Sequence, residues 1–110
     1  MPQPIAEVKA ELFRALANPS RIRVLEVLCE GEFSVGDIQA RVGIESSHLS
    51  QQLGVLRRAG LVESRKEGSQ VFYSLADPQL VELLAVAKRV LIRSLSSTHD
   101  LLADLGAPGR

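Results

Sequence analysis

Between residues 34 and 76 the chain sets two short, capped apolar helices one after the other and runs from the second straight into a β-hairpin. Few folds accept that order. Ser34-Val35-Gly36-Asp37 places a hydroxyl three residues ahead of a carboxylate, a variant of the capping box. It predicts a short helix through Ile38 and Val42 that Gly43 closes. A further helix starts at Ser46 or Ser47, carries Leu49, Leu53 and Leu56 on one face, and stops at Ala59-Gly60. The apolar period then changes from about 3.6 to about 2. Residues 61–66 and 70–75 alternate around Glu67-Gly68-Ser69, a hairpin with a glycine in its loop. Two helices joined by a tight, Gly-containing turn, the second with a polar outer face, form a helix-turn-helix. The hairpin makes it winged.

Helices flank this unit. Residues 5–17 carry Ile5, Val8, Leu12, Phe13 and Leu16 at amphipathic spacing. Asn18 is a natural N-cap and Pro19 suits the first turn of the next helix, which holds Ile22, Val24, Leu25, Val27 and Leu28 and ends by Gly31. Asp77-Pro78 opens a long last helix with Leu80, Leu83, Leu84, Ala87, Val90, Leu91 and Leu95 at helical spacing. Leu101, Leu102 and Leu105 extend it before residues 106–110 fray. The expected fold is α+β, mainly α: a winged helix-turn-helix with a two-stranded wing and N- and C-terminal dimerisation helices. One domain covers residues 1–110, with the helix-turn-helix at 34–60, the wing at 61–76 and the dimerisation helices at 5–17 and 78–105.

The 110 residues, 45% of them hydrophobic, suffice for one modest core. No apolar run is long enough to cross a membrane, the N-terminus lacks a signal-peptide pattern, and the single Cys29 cannot close an internal disulfide. A cytoplasmic, reducing setting follows as the expectation. Net charge is zero, from 13 basic and 13 acidic residues, whereas nucleic-acid binders are usually basic. The distribution matters more than the sum. Residues 46–74 carry Arg57, Arg58, Arg65 and Lys66 against Glu63 and Glu67, a local excess that a dimer would present twice.

On a helical wheel, Ser47, Gln51, Gly54 and Arg58 fall opposite the leucine face, with Ser50 and His48 on its flanks. Short hydroxyls and amides of this kind bond base edges and phosphates in a major groove, and Gln51 can pair bidentately with adenine. Ser46, Ser47 and Ser50 suit the positive end of the helix dipole, where phosphate is favoured. Arg57, Arg58, Arg65 and Lys66 suit flanking backbone contacts, and Gln52, Ser69 and Gln70 complete the expected DNA-facing set. A polar helix face alone is ordinary solvated surface. The basic-edged hairpin that follows it turns the balance toward DNA.

The run Leu12-Phe13-Arg14-Ala15-Leu16-Ala17-Asn18-Pro19-Ser20-Arg21-Ile22-Arg23-Val24-Leu25 resembles the opening of ArsR/SmtB-family winged-helix repressors. Residues 47–62, from Ser47-His48-Leu49-Ser50-Gln51-Gln52-Leu53 through Gly60-Leu61-Val62, resemble that family's recognition helix, and residues 65–75 its wing. The resemblance implies a homodimer held by the first and last helices, with Leu12, Leu80, Leu84, Ala87 and Leu91 at the interface. It also implies binding to an imperfectly palindromic operator as double-stranded DNA, and repression relieved by a signal. The positions matching Ser47, His48, Ser50 and Gln51 approach bases or phosphates in the family. Many members carry histidines where this chain has Gln51 and Gln52, which implies a different operator preference.

The family's metal ligands are the point of departure. A cysteine pair lies in a Glu-Leu-Cys-Val-Cys-Asp-Leu type stretch at the start of its third helix. Here Glu32-Phe33-Ser34-Val35-Gly36-Asp37-Ile38 puts serine and glycine at those places, and neither replaces a thiolate. A second family site uses Asp and His in the last helix, where residues 80–95 hold no histidine and only Glu82 as an acid. His99 and Asp100 form a lone pair. No metal and no cofactor is expected, and a small-molecule or redox effector stays open. Cys29, set among apolar neighbours, reads as a small core residue.

An enzyme is not indicated. There is no Gly-rich phosphate loop, and Ser47-His48 are helical neighbours that point in different directions. The rival reading is a winged helix used for protein–protein contact with vestigial DNA binding, which zero net charge would suit.

Overall fold

A computed structural model describes residues 4–97. The expectations for Leu101, Leu102 and Leu105, for residues 106–110, and for His99 and Asp100 lie outside the described residues. The element order is α1 (Ile5–Leu16), α2 (Pro19–Leu28), β1 (Phe33–Ser34), α3 (Val35–Val42), α4 (Ser46–Arg58), β2 (Val62–Glu67), β3 (Gln70–Leu75) and α5 (Gln79–Ser97). Two compact units divide the chain, the first ending at Leu80 and the second beginning at Val81.

In the first unit the local caps do what their chemistry requires. The Asn18 side chain accepts the Arg21 backbone N–H at 3.1 Å, with Pro19 at the first helical position. Ser34 Oγ accepts the Asp37 N–H at 3.1 Å to open α3. Gly43 closes α3 in the left-handed region, φ 77°, which a side chain rarely adopts. Helix α4 starts at Ser46, where the sequence places it, but its N-cap Glu45 offers no side-chain cap, and Ser47 Oγ donates to Glu45 Oε1 at 2.9 Å.

Magnitudes explain why α4 is seated without a cap. A cap contributes about 1 kcal/mol, whereas fully burying one leucine contributes about 1.5–3 kcal/mol. Leu49, Leu53 and Leu56 of α4 are all buried, in a core with Val24, Leu25, Val27 and Leu28 of α2, Ile38 of α3, Leu61, Val62 and Leu80, and α4 packs on α2. The apolar stripe thus fixes where α4 lies.

The wing belongs to a larger sheet than the two-stranded one expected. Its order is β1-β3-β2, all antiparallel, with Phe33 opposite Tyr73 and Ser34 opposite Phe72. Strands β2 and β3 pair from Val62 with Leu75 to Glu67 with Gln70, leaving a two-residue loop. Gly68 holds φ 62° at its first position, where a type II′ hairpin needs glycine.

The second unit consists, among the described residues, of the rest of α5. Asp77 Oδ1 accepts the Gln79 N–H at 2.9 Å where this helix begins. No helix among the described residues is long and apolar enough to cross a membrane.

Candidate nucleic-acid interface

Because three leucines anchor α4 from one side, its other side must face solvent. Ser46, Ser47, Ser50 and Gln51 are exposed there, with Arg57 and Arg58 at the C-terminal end. Gly54 is half-buried, and a β-carbon on it would stand 3.2 Å from an Arg58 guanidinium nitrogen. The Arg58 side chain therefore lies back along the helix over Gly54. His48 sits at the edge of this face, half-buried, its Nε2 3.2 Å from Ser20 Oγ.

Gln52 requires a correction. Expected among the DNA-facing residues, it is only 7% exposed, and its Oε1 accepts a hydrogen bond from Arg21 Nη1 at 2.8 Å. The physical reason is spacing. Position 52 lies three residues after Leu49 and four before Leu56, on the buried side of the helix. Its amide oxygen is thus engaged inside the protomer, and little of the side chain is open to a groove.

Arg65 also departs from its expected role as a phosphate contact. Its Nε and Nη2 donate to the two carboxylate oxygens of Glu32, each at 2.8 Å, and its Nη1 donates to Glu67 at 2.9 Å. Its guanidinium carbon lies 4.6 Å from the centre of the Phe72 ring, directly across the ladder. Both edges and one face of the guanidinium are thus engaged, and a phosphate would have to displace a carboxylate. Lys66, exposed on the same strand, makes no ion pair among the described residues. Ser69 and Gln70 are exposed at the wing tip.

The hydrogen bonds from Arg65 hold the Glu32 carboxyl below its ordinary value, outweighing desolvation, which acts the other way. A lowered folded value means that the bond is fully present above the ordinary glutamate range and is lost as pH falls through the lowered one. In a pH titration followed by NMR, the Arg65 Nε–H signal should hold steady near neutrality and move only in acid. In Glu32→Gln that acid transition should vanish. An unaltered transition in the variant would assign it to another group.

Ser34 and Gly36, at the places where the family's thiolates would stand, have structural occupations instead. The Ser34 hydroxyl is buried and spent on capping α3, and Gly36 offers no side chain. Cys29 is half-buried at the end of α2, and its thiol is pushed up by burial, with Glu26 and Glu30 adding to the shift. A thiol held protonated is a poor nucleophile, which weighs against a redox role.

Of the expected interface positions, Leu80 is 7% exposed inside the first unit, so a second copy could reach little of it. Leu12 and Leu84 are half-buried, and Ala87 and Leu91 are exposed. The helices also expose apolar side chains that spacing alone did not single out for contact: Ile5, Val8 and Phe13 on α1, and Val81, Val86 and Ile92 on α5.

Residues 18–64 match the family model described as bacterial regulatory protein, arsR family. An uncharacterized HTH-type transcriptional regulator of Mycobacterium tuberculosis is 54% identical over 97% of this chain and 95% of its own length. The crystal structure of that protein superposes with a TM-score of 0.80 at 55% identity, covering 87% of this chain and 97% of the other. The biofilm growth-associated repressor of Agrobacterium fabrum is 43% identical over 76% of this chain and 75% of its length. A homodimeric winged helix-turn-helix DNA-binding domain from Mycobacterium bovis, solved by NMR, aligns with a TM-score of 0.73 at 29% identity over 86% of each chain. These relatives and this fold are those of DNA-binding transcriptional regulators, not of enzymes.

Proposed function

This chain belongs to the ArsR family of transcriptional regulators, and from that premise we propose that it is a repressor. It binds a palindromic operator as a homodimer and does so without a metal. The observation that carries the reading is the division of α4: leucines at 49, 53 and 56 inward, Ser46, Ser47, Ser50 and Gln51 outward on a rigid helix. Gln51 offers an amide to an adenine edge, and the serines reach bases or phosphates near the helix N-terminus. Arg57, Arg58 and Lys66 supply backbone contacts, with Ser69 and Gln70 at the wing tip, and His48 borders the groove-facing surface.

Homodimerisation is supported by the exposed apolar side chains of α1 and α5 and by the dimeric state of the Mycobacterium bovis neighbour. Leu84, Ala87 and Leu91 recur at three- and four-residue intervals on α5, the spacing of one helix face. A two-fold dimer places its recognition helices in successive major grooves about 34–36 Å apart, so an effector acts by changing that spacing. Metal-independence is supported by the capping role of Ser34 and the lack of a side chain at Gly36.

Selection of bound sequences from a random DNA pool, followed by gel shifts across a salt series, tests the reading. A palindromic consensus should emerge, and zinc should leave its binding unchanged. Gln51→Ala should relax preference at one base pair by about 1–3 kcal/mol. Lys66→Ala should weaken selected and random DNA alike and lower the salt slope by about one. If an intact dimer selects no sequence at low salt, the protein-contact reading, which zero net charge favours, takes its place.

A further inference from the structure

Arg21 stands where three helices meet. Its backbone N–H is held by Asn18, and its guanidinium reaches in two directions. Nε donates to the Ala15 carbonyl at 2.6 Å and Nη2 to the Arg14 carbonyl at 3.2 Å, both in the last turn of α1. The Arg14 carbonyl also accepts the Ala17 N–H at 3.1 Å, and the negative end of the helix favours a cation at both carbonyls. Nη1 meanwhile donates to the buried Gln52 of α4 at 2.8 Å. The adjacent Ser20 is bonded to His48, one turn before Gln52. Two successive residues of α2 thus grip two residues on one side of the recognition helix.

Apolar contacts set the depth of α4 but are not directional, so the leucines resist a small rotation of the helix weakly. A hydrogen bond is directional and resists it. Turning α4 by about 20° would carry a side-chain tip 5–6 Å from its axis through about 2 Å, enough to break an amide–adenine pair. We propose that Arg21 is a positioning residue for DNA recognition: through Gln52 it sets the rotation of α4 and ties that setting to the end of α1. A lysine cannot take its place, because one ammonium lacks the planar fork that spans both helices. The inference rests on the operator-binding reading. It adds a route by which a displacement of α1 reaches the base-contacting residues.

The test compares Arg21→Lys, Gln52→Leu and the double variant in the full chain. Leucine matches the volume of Gln52 and suits its burial, so the fold is kept while the bond is lost. Each variant should lose about tenfold in affinity for the selected operator, the worth of one charge-assisted bond. Affinity for random DNA should not change. The double variant should lose no more than either single one, as partners in one interaction do. Gln52→Glu, which keeps the acceptor, should retain the preference. Without DNA, the Ser50 and Gln51 amide resonances should shift in both single variants. Unmoved resonances, or additive losses, would overturn the proposal. Should the wild-type chain select no operator, the function reading fails, and the DNA-free resonances alone still judge Arg21.

Discussion

Leu91→Glu should convert the protein from dimer to monomer and lower operator affinity by about 10²–10⁴-fold. Leu91 is 50% exposed on α5, one helical turn from the exposed Ala87. An apolar side chain of that size, left open to water, gains free energy when a second copy covers it. A carboxylate at the same place must shed its hydration to enter the interface, and the exposed Lys88 one turn before it on the helix offsets only a small part of that cost. The affinity loss then follows from linkage. In a dimer, docking one recognition helix makes the second contact effectively intramolecular, whereas a monomer binds each half-site alone. Sedimentation equilibrium reads the first effect and gel shifts the second. Circular dichroism should report an intact fold, because the core of the first unit does not include Leu91. A dimer that sediments as before would remove α5 from the interface.

What could be read from the sequence, and what could not, divides by the range of the interaction. Asn18 and Ser34 announced their helices because a cap bonds a backbone N–H three residues away. The leucine stripe of α4 and the alternation of the wing are likewise local periodicities, and the two strands fall within a residue of where the pattern put them. Strand β1 was illegible. Its two residues have no period of their own and become a strand only by pairing with Phe72 and Tyr73. The Arg65–Glu32 and Arg21–Gln52 pairs were hidden for the same reason, since each joins residues more than thirty positions apart. Gln52 is different, because its inward position was present in the spacing. Residue type overrules geometry there: Gln52 counts among the expected DNA-facing residues although its wheel position lies between Leu49 and Leu56. The Arg21 bond to its amide oxygen offsets the cost of that burial.

A second large effect separates the seating of α4 from its chemistry. Leu49→Ala should destabilise the fold by about 2–5 kcal/mol, the range for deleting a core leucine without full collapse around the cavity. Leu49 is completely buried in the first half of the recognition helix, and that helix packs on α2. Against a total stability of about 5–15 kcal/mol, that loss is a large fraction, and the melting temperature should fall by about 10 °C or more. Leu49→Met, which conserves volume, should cost less than about 1.5 kcal/mol. Neither change touches Ser47, Ser50 or Gln51, so well below the melting transition the preference among operator bases should stay that of the wild-type chain. Arg21→Lys should do the reverse, eroding preference while costing less stability than Leu49→Ala. The two outcomes assign depth to the leucines and rotation to the arginine. A melting shift of only a degree or two in Leu49→Ala would mean that α4 is not anchored on α2 through this leucine, and the orientation of its outer face would then need another cause.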